Sequence, residues 1–361
     1  MRILSLFLVV VTSWAAIVPA RAENYSRNLT ETSDWLSTQQ LPNGAILFTS
    51  TEIEPYFANL AAIGWLEDST RIPQVEAWMS WYIAHLNWPD RWGEYGTVYD
   101  YSVAGGTEVS LDAFDSADSY AATFLSLAEA LWNTGDPDAQ AFIKDTVGQY
   151  NLNVVGNVIT NLQQSNGLVY AMPTAMVEYL MDNSEDYRGL TDFARLAAQA
   201  WGDADSARWY TAHARAIRVG IQSVLYVRNS GLYRPYAGSD APDLKTWYPD
   251  SVAQLYPIVQ GVIAPGSTQS KSVYATFNQA WPRWDLSFNS QDKFPWAVVS
   301  YAALLAQDKA RVDHYINTVE NRYLMVNPVF PWPWYDAEAG WFMRVNAEIE
   351  HWGIVPTTKS F

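Results

Sequence analysis

Carboxylates placed in pairs are the residues of this chain best suited to do chemistry. Glu52/Glu54, Asp115/Asp118, Asp182/Glu185, Asp250, Asp292 and Glu348/Glu350 each follow a long, aromatic-rich stretch and lead into a segment read as apolar helix. Two carboxyl groups across one bond, one protonated and one ionised, are the equipment for cleaving a glycosidic linkage. Trp and Tyr beside them would offer flat faces to sugar rings.

Each junction also has a structural reading. Pro55 suits the first position of a helix, which puts Glu54 at or beside the cap and Glu52 in the loop before it. Glu54 would then either act as an acid or simply favour the positive helix end, an effect of about 0.3–1 kcal/mol. Asp115 and Asp118 share one face of a first helical turn. They read as a capping pair or as a pair projecting into a cleft beside Tyr120, and the long loop 89–114 with Tyr99 and Asp100 favours the cleft. Asp182, Asn183 and Glu185 look like cap chemistry with room for sugar-hydroxyl contacts. Trp247-Tyr248 reads as a stacking pair joined to Asp250, a reserve base. Asp292 beside Lys293 reads as structural, and Glu348/Glu350 as a strand, a helix turn or a closing contact. The Pro-rich run 331–336 would hold Trp332 and Trp334 stiffly, as a groove wall or as rim packing.

Helical spacing places these junctions. One set of predicted helices, reached by short turns such as 134–137 and 202–205, covers 29–38, 72–88, 137–160, 204–227, 268–280 and 309–325. The other, reached by long loops, covers 55–67, 115–133, 185–201, 249–263, 294–306 and a short piece near 346–353. Strict alternation of long and short connections puts all long loops on one face. The expected fold is therefore all-α: an (α/α)6 toroid of six helical hairpins, with an open helical solenoid as the alternative.

The totals bound the function. Residues 1–22 read as a secretory signal peptide, with Arg2, the apolar run Ile3 to Val11 and the small-x-small site Ala20-Arg21-Ala22. The expectation is an exported, secreted or periplasmic protein cut after Ala22, with one domain over 23–361 and a monomer. A formal charge of −16 speaks against nucleic acid and anionic membrane surfaces, and against a strongly anionic polysaccharide. There is no cysteine, so thiolate chemistry and disulfides are excluded. The four histidines are scattered, and no Gly-x-Ser-x-Gly, His-Glu-x-x-His or P-loop occurs. No metal site and no cofactor are implied. Aromatics form 15% of the chain, with 18 Trp, more than packing usually requires.

Two segments resemble glycoside hydrolase family 8. Thr51-Glu52-Ile53-Glu54-Pro55-Tyr56-Phe57-Ala58 keeps the Glu-to-Tyr spacing, through Glu52 and Tyr56, of that family's acid-bearing Ser-Glu-Gly-Gln-x-Tyr-Gly-Met. Asp118 takes the last Asp of the second signature, with Ala117, Ala122, Ala128 and Trp132 in step. The first Asp of that signature falls on Ser116, and the Gly-Gln is lost. The resemblance implies the toroid and a glycosidase of that superfamily, with the acid on Glu52 by spacing or on Glu54 by helix geometry.

The expected function is a glycoside hydrolase on a neutral or weakly charged poly- or oligosaccharide. Glu54 or Glu52 would be the acid, Asp118 and Asp115 the water-orienting or charge-stabilising carboxylates, and Asp250 the reserve. Tyr56, Tyr99, Asp100, Tyr120, Asn183, Glu185, Trp247, Tyr248, Trp332 and Trp334 would line the substrate path. A polysaccharide lyase, with Arg91, Arg234 or Arg283 neutralising a uronate, and a non-catalytic glycan-binding or assembly protein are the alternatives.

Overall fold

A computed structural model describes residues 17–288, 291–324 and 330–350, with side chains from residue 24 onward. Among these residues the regular elements are helices and two small antiparallel sheets. In order it forms α1 (Ile17–Ser37), β1 (Glu52–Ile53), α2 (Pro55–Trp65), α3 (Ile72–Ala84), β2 (Tyr101–Ala104), β3 (Thr107–Ser110), α4 (Ala117–Trp132), α5 (Pro137–Phe142) and α6 (Gln149–Leu162). There follow α7 (Leu180–Trp201), α8 (Ala204–Gly220), β4 (Tyr226–Val227), β5 (Leu232–Tyr233), α9 (Tyr256–Val259), α10 (Thr268–Ala280), α11 (Trp284–Ser287), α12 (Ala297–Leu305), α13 (Lys309–Val319) and α14 (Asp336–Glu350).

The helices close a ring. α2 packs on α4, α4 on α7, α7 on α9, α9 on α12, α12 on α14, and α14 back on α2. Outside it, α3 packs on α2, α6 on α4 and α7, α8 on α7, α13 on α12, and α1 on α14. The composition of the ring helices explains their place. α12 (AVVSYAALL) is buried from Ala297 to Leu304, and α2 buries most of its length. A helix apolar on every side has to lie inside. Small residues set the spacing at the seam: a Cβ added to Gly64 would sit 2.1 Å from the carbonyl oxygen of Gly340, so α2 and α14 meet backbone to backbone.

Short turns end where expected. Gly202 closes α7 in the left-handed region (φ 67°), and Asp203 caps α8 by accepting the N–H groups of Asp205 and Ser206. Asp136 caps α5 in the same way.

Several boundaries differ from the sequence reading. α3 stops at Ala84, short of 88. The helix expected over 137–160 breaks at Gly148 (φ 74°). α7 begins at Leu180, so Asp182 and Glu185 lie within its first turns rather than before it. The segment 249–263, interrupted by Pro249, Pro257 and Gly261, holds only a π turn over Trp247–Ser251 and the short α9. The last ring helix starts at Asp336, ten residues before the predicted 346, so Glu348 and Glu350 sit at its C-terminal end and form no junction. The loop 89–114 contains the β2–β3 hairpin, turned by Gly105 and Gly106, both at positive φ. β1 pairs with β2, Glu52 opposite Ser102. Residues 1–16 of the expected signal peptide lie outside the described residues, and Ile17 to Ala22 open α1. Among the described residues no helix is long and apolar enough to cross a membrane.

Candidate active site

The N-terminal ends of the ring helices gather at one end of the ring. Glu54 is the N-cap residue of α2 (φ −114°, ψ 105°), yet its side chain accepts no N–H of that helix. Pro55 has no N–H to offer. The carboxylate is thus turned away from the cap role and makes no hydrogen bond among the described residues. Burial pushes its pKa up to about 8, and the charges of Asp100, Glu52 and Asp115 push it the same way. Glu52, one pleat earlier, is exposed and accepts a hydrogen bond from Thr49 Oγ1 at 2.9 Å.

Asp100 leads into β2. It accepts the Tyr120 hydroxyl at 2.8 Å, and burial raises it to about 7. The Tyr120 ring lies nearly parallel to Tyr56, 6.1 Å between centroids, and Tyr56 donates its hydroxyl to Glu185 at 2.7 Å. Burial holds Glu185 at about 8. Two tyrosines side by side thus tether two protonatable carboxyls from different elements.

Asp115 precedes α4 and is exposed, and its carboxylate accepts no hydrogen bond among the described residues. Its charge reaches Glu54, Asp100, Asp182, Tyr179 and Tyr248, which places it in the middle of the mouth.

Behind it lies a buried acid chain. The Ser116 hydroxyl is 2.8 Å from both Asp118 Oδ1 and Asp182 Oδ2. One hydroxyl proton cannot serve both, so a second proton on one carboxyl is needed for both contacts to be hydrogen bonds. Asp186 reaches Asp118, and neither Asp186 nor Asp118 Oδ2 receives a donor from elsewhere among the described residues. A proton shared by the two carboxyls joins Asp118 Oδ2 to one oxygen of Asp186 and leaves the other Asp186 oxygen without a donor among the described residues. Burial, then the neighbouring carboxylates, drives Asp118 and Asp186 well above the usual carboxylate range, and burial takes Asp182 to about 6.

α14 completes the far side. Glu338 accepts the N–H groups of Trp296 (3.0 Å) and Ala297 (2.6 Å), capping the neighbouring α12, and burial lifts it to about 7. Asp336 is fully buried, one oxygen without a partner among the described residues, its pKa raised by burial and by Glu54. Tyr335 stands against Phe57, Phe48 and Phe294, and Trp332, 46% exposed, leans on Phe48 and Phe294 with Lys293 Nζ 5.1 Å from its ring.

The structure therefore brings together Glu54, Glu52, Asp115, Asp118, Asp100, Tyr56, Tyr120, Glu185 and Tyr248, with Trp332 on the rim. The remaining predicted residues lie elsewhere. Asp250 accepts the N–H of Asp243 at 2.8 Å and braces its own loop. Asn183 is buried, clamping both backbone groups of Val169. Tyr99, Trp247 and Trp334 are buried at 7%, 2% and 2% exposure, and no face of theirs is open to a sugar. In the Trp247-Tyr248 pair one ring turns in and the other out, Tyr248 being 55% exposed. Asp292 accepts Trp296 Nε1 at 2.8 Å, the structural role expected of it. Sequence reasoning missed Asp186, Tyr335, Asp336 and Glu338. Asp186 had a signal in its spacing of four from Asp182. Asp336 and Glu338 were hidden by the misplaced start of α14.

No family model matches the chain, and no curated protein matches it in sequence. Solved structures do. A wild-type glycosidase superposes with a TM-score of 0.63 at 13% identity, covering 91% of this chain and 98% of its own. The GH63 mannosylglycerate hydrolase from Thermus thermophilus, solved with glucose, gives 0.62 at 10% identity over 88% and 98%. An alpha-amylase from Clostridium perfringens gives 0.62 at 9% over 90% and 97%. The fold is similar to that of these glycosidases. At such identities the likeness is one of architecture, and it carries no residue roles across.

Proposed function

We propose that the protein is a glycoside hydrolase acting on a neutral poly- or oligosaccharide. The observation that carries this reading is Glu54, a carboxyl freed from its helix cap and pushed up to about 8, next to the exposed carboxylate of Asp115. At neutral pH Glu54 holds a proton, and Asp115 offers a second carboxyl open to solvent, which is the pairing glycoside cleavage needs. Glu54 gives its proton to the glycosidic oxygen as the bond to the anomeric carbon breaks. Asp115 faces the positive charge that develops on the sugar ring, and either takes a proton from the attacking water or bonds to the carbon itself. Asp118 is too deeply buried to touch substrate; with Ser116, Asp182 and Asp186 it forms the wall that holds the site's protons. Tyr248 and Trp332 supply stacking faces. The similarity in fold to three glycosidases, one of them solved with glucose, supports the reading.

A lyase acting on a uronate would need a cation at the bond. Among the described residues no Lys or Arg pairs with Glu54, Asp100, Asp115, Asp182, Glu185 or Asp336. Arg91 lies over Trp92, and Arg234 donates to the carbonyl of Ser239.

The test is reducing-end release from a panel of neutral, aminated and acidic polysaccharides. Turnover of a neutral polymer, abolished in Glu54→Gln and in Asp115→Asn with folding intact, is the expected result. Turnover untouched by both substitutions would place the chemistry elsewhere. Binding without turnover in the native protein would favour a glycan-binding role. Export with cleavage after Ala22 belongs to the same proposal, and N-terminal sequencing of protein from the culture medium or periplasm checks it.

A further inference from the structure

Three exposed aromatics stand where the segment after α3 runs along the outer helix α6. Trp88 is 48% exposed, Tyr95 52% and Tyr150 70%. Trp88 follows α3 and Tyr150 opens α6, yet their rings are parallel to within 2°, 6.1 Å between centroids, with Tyr95 set at 67° to Trp88. The segment that presents them is fixed. Buried Asp90 accepts the N–H groups of Trp92 and Glu94 and the hydroxyl of Thr97. Gly96 (φ +88°) lies so close to α6 that a Cβ there would be 2.7 Å from the carbonyl oxygen of Val154. Glu94 accepts the Asn161 amide at 2.7 Å, fastening the loop along α6.

The geometry points to a second carbohydrate-binding surface, a platform that holds a neutral glycan chain outside the cleft. The inference rests on the glycan reading of the protein. Sugar rings present C–H faces with a slight positive edge, and these lie on the negative faces of aromatic rings. The two rings stack on one another and act together as one rigid aromatic ledge against which a sugar face can lie. Because the loop is already locked, little ordering entropy is lost on binding. The exposed amide of Asn157, on the same face of α6 as Tyr150, is in place for a hydroxyl. A protein partner fits less well. A stable interface buries about 800 Å² per side around an apolar centre, and here the exposed large side chains are rings flanked by amides. Nucleic-acid bases would stack on the same rings, but a chain of charge −16 repels the phosphates.

The experiment is affinity electrophoresis of the full chain in native gels cast with glycogen, mixed-linkage β-glucan or mannan. The expected result is retardation of the wild-type protein by at least one of them, and of Glu54→Gln equally. Trp88→Ala/Tyr150→Ala should lose at least tenfold in affinity while keeping wild-type turnover of a short oligosaccharide. Trp88→Phe/Tyr150→Phe, which keeps the rings, should restore retardation. No retardation of wild type in any of the three gels, or equal retardation of the double alanine variant, overturns the platform. Retardation lost in the alanine variant of a protein that turns nothing over leaves the platform standing and removes the hydrolase reading. Turnover without retardation does the reverse.

Discussion

At the C-terminal end of the ring, around an axial cavity of about 510 Å³, Asp192 accepts Arg188 Nε at 2.6 Å and pairs with Arg195, which also reaches Glu129 at 2.9 Å. At the N-terminal end, Asp118 and Asp186 meet one another, Glu185 meets Tyr56, and Asp100 meets Tyr120. Both ends bury carboxyls in the same helices. One end neutralises them with guanidinium groups; at the other, among the described residues, protons take that part. A buried ion pair fixes a structure, whereas a buried acid stores a proton that chemistry can use. α7 shows the contrast inside one helix: Glu185 and Asp186 without a cation among the described residues, Asp192 two turns on with two.

The largest effect expected from this comparison is on rate. Glu54→Gln should lower kcat by about 10³-fold, within the range for loss of a positioned acid, while Glu129→Gln at the other end leaves it within about twofold. Equal losses at the two ends, in steady-state kinetics, would break the distinction. Next comes stability. Asp192→Asn leaves the half-buried Arg188 and Arg195 without their shared charge partner and should cost about 2 kcal/mol in urea unfolding. Asp186→Asn at pH 8 should change stability by less than about 0.5 kcal/mol, because an amide can donate to Asp118 where two carboxyls compete for one proton.

The pH dependence should come from the acidic end. Glu54, Asp100, Asp182, Glu185 and Glu338 have folded-state values of about 8, 7, 6, 8 and 7, all above ordinary carboxyls. Between about pH 4.5 and 8 the folded protein therefore binds more protons than the unfolded chain, and stability falls as pH rises through that window. The thermal midpoint should drop by roughly 5 °C or more between pH 5 and 8.5, and Glu185→Gln should flatten the slope. A midpoint independent of pH would mean the acids are not held protonated. The smallest effect concerns the rim. Trp332→Ala should raise KM about fivefold with kcat kept, from the loss of about 1 kcal/mol of stacking.

Much of this architecture is legible in the sequence. The spacing of Tyr120, Phe124, Leu127 and Leu131 shows α4, and the Gly202-Asp203 turn marks the passage from α7 to α8. The Gly105-Gly106 hairpin signal was present between alternating residues and was covered by reading 89–114 as one loop. The site was legible as a set of acids, and less so as an arrangement. Whether Glu54 caps its helix or faces the cleft depends on where the carboxyl turns, which spacing alone does not specify. Trp247 and Tyr248 are neighbours with opposite fates because the strand-like backbone at Tyr248 (φ −120°, ψ 133°) sends consecutive side chains to opposite sides. Asp336 escaped because its helix follows a Pro-rich run that reads as loop throughout.

The glycine seam between α2 and α14 has a consequence for timing. Gly64 and Gly340 lie near opposite ends of the chain, and their contact completes the ring. Glu54, Asp115 and Asp182 stand at the starts of α2, α4 and α7, and the wall that α14 adds beside Glu54 comes only when the ring closes. Until α14 docks, the wall beside Glu54 is open to water, and a hydrated glutamate gives up its proton at neutral pH. The acid proposed on Glu54 therefore depends on closure of the ring: docking of α14 is what lets that carboxyl keep its proton.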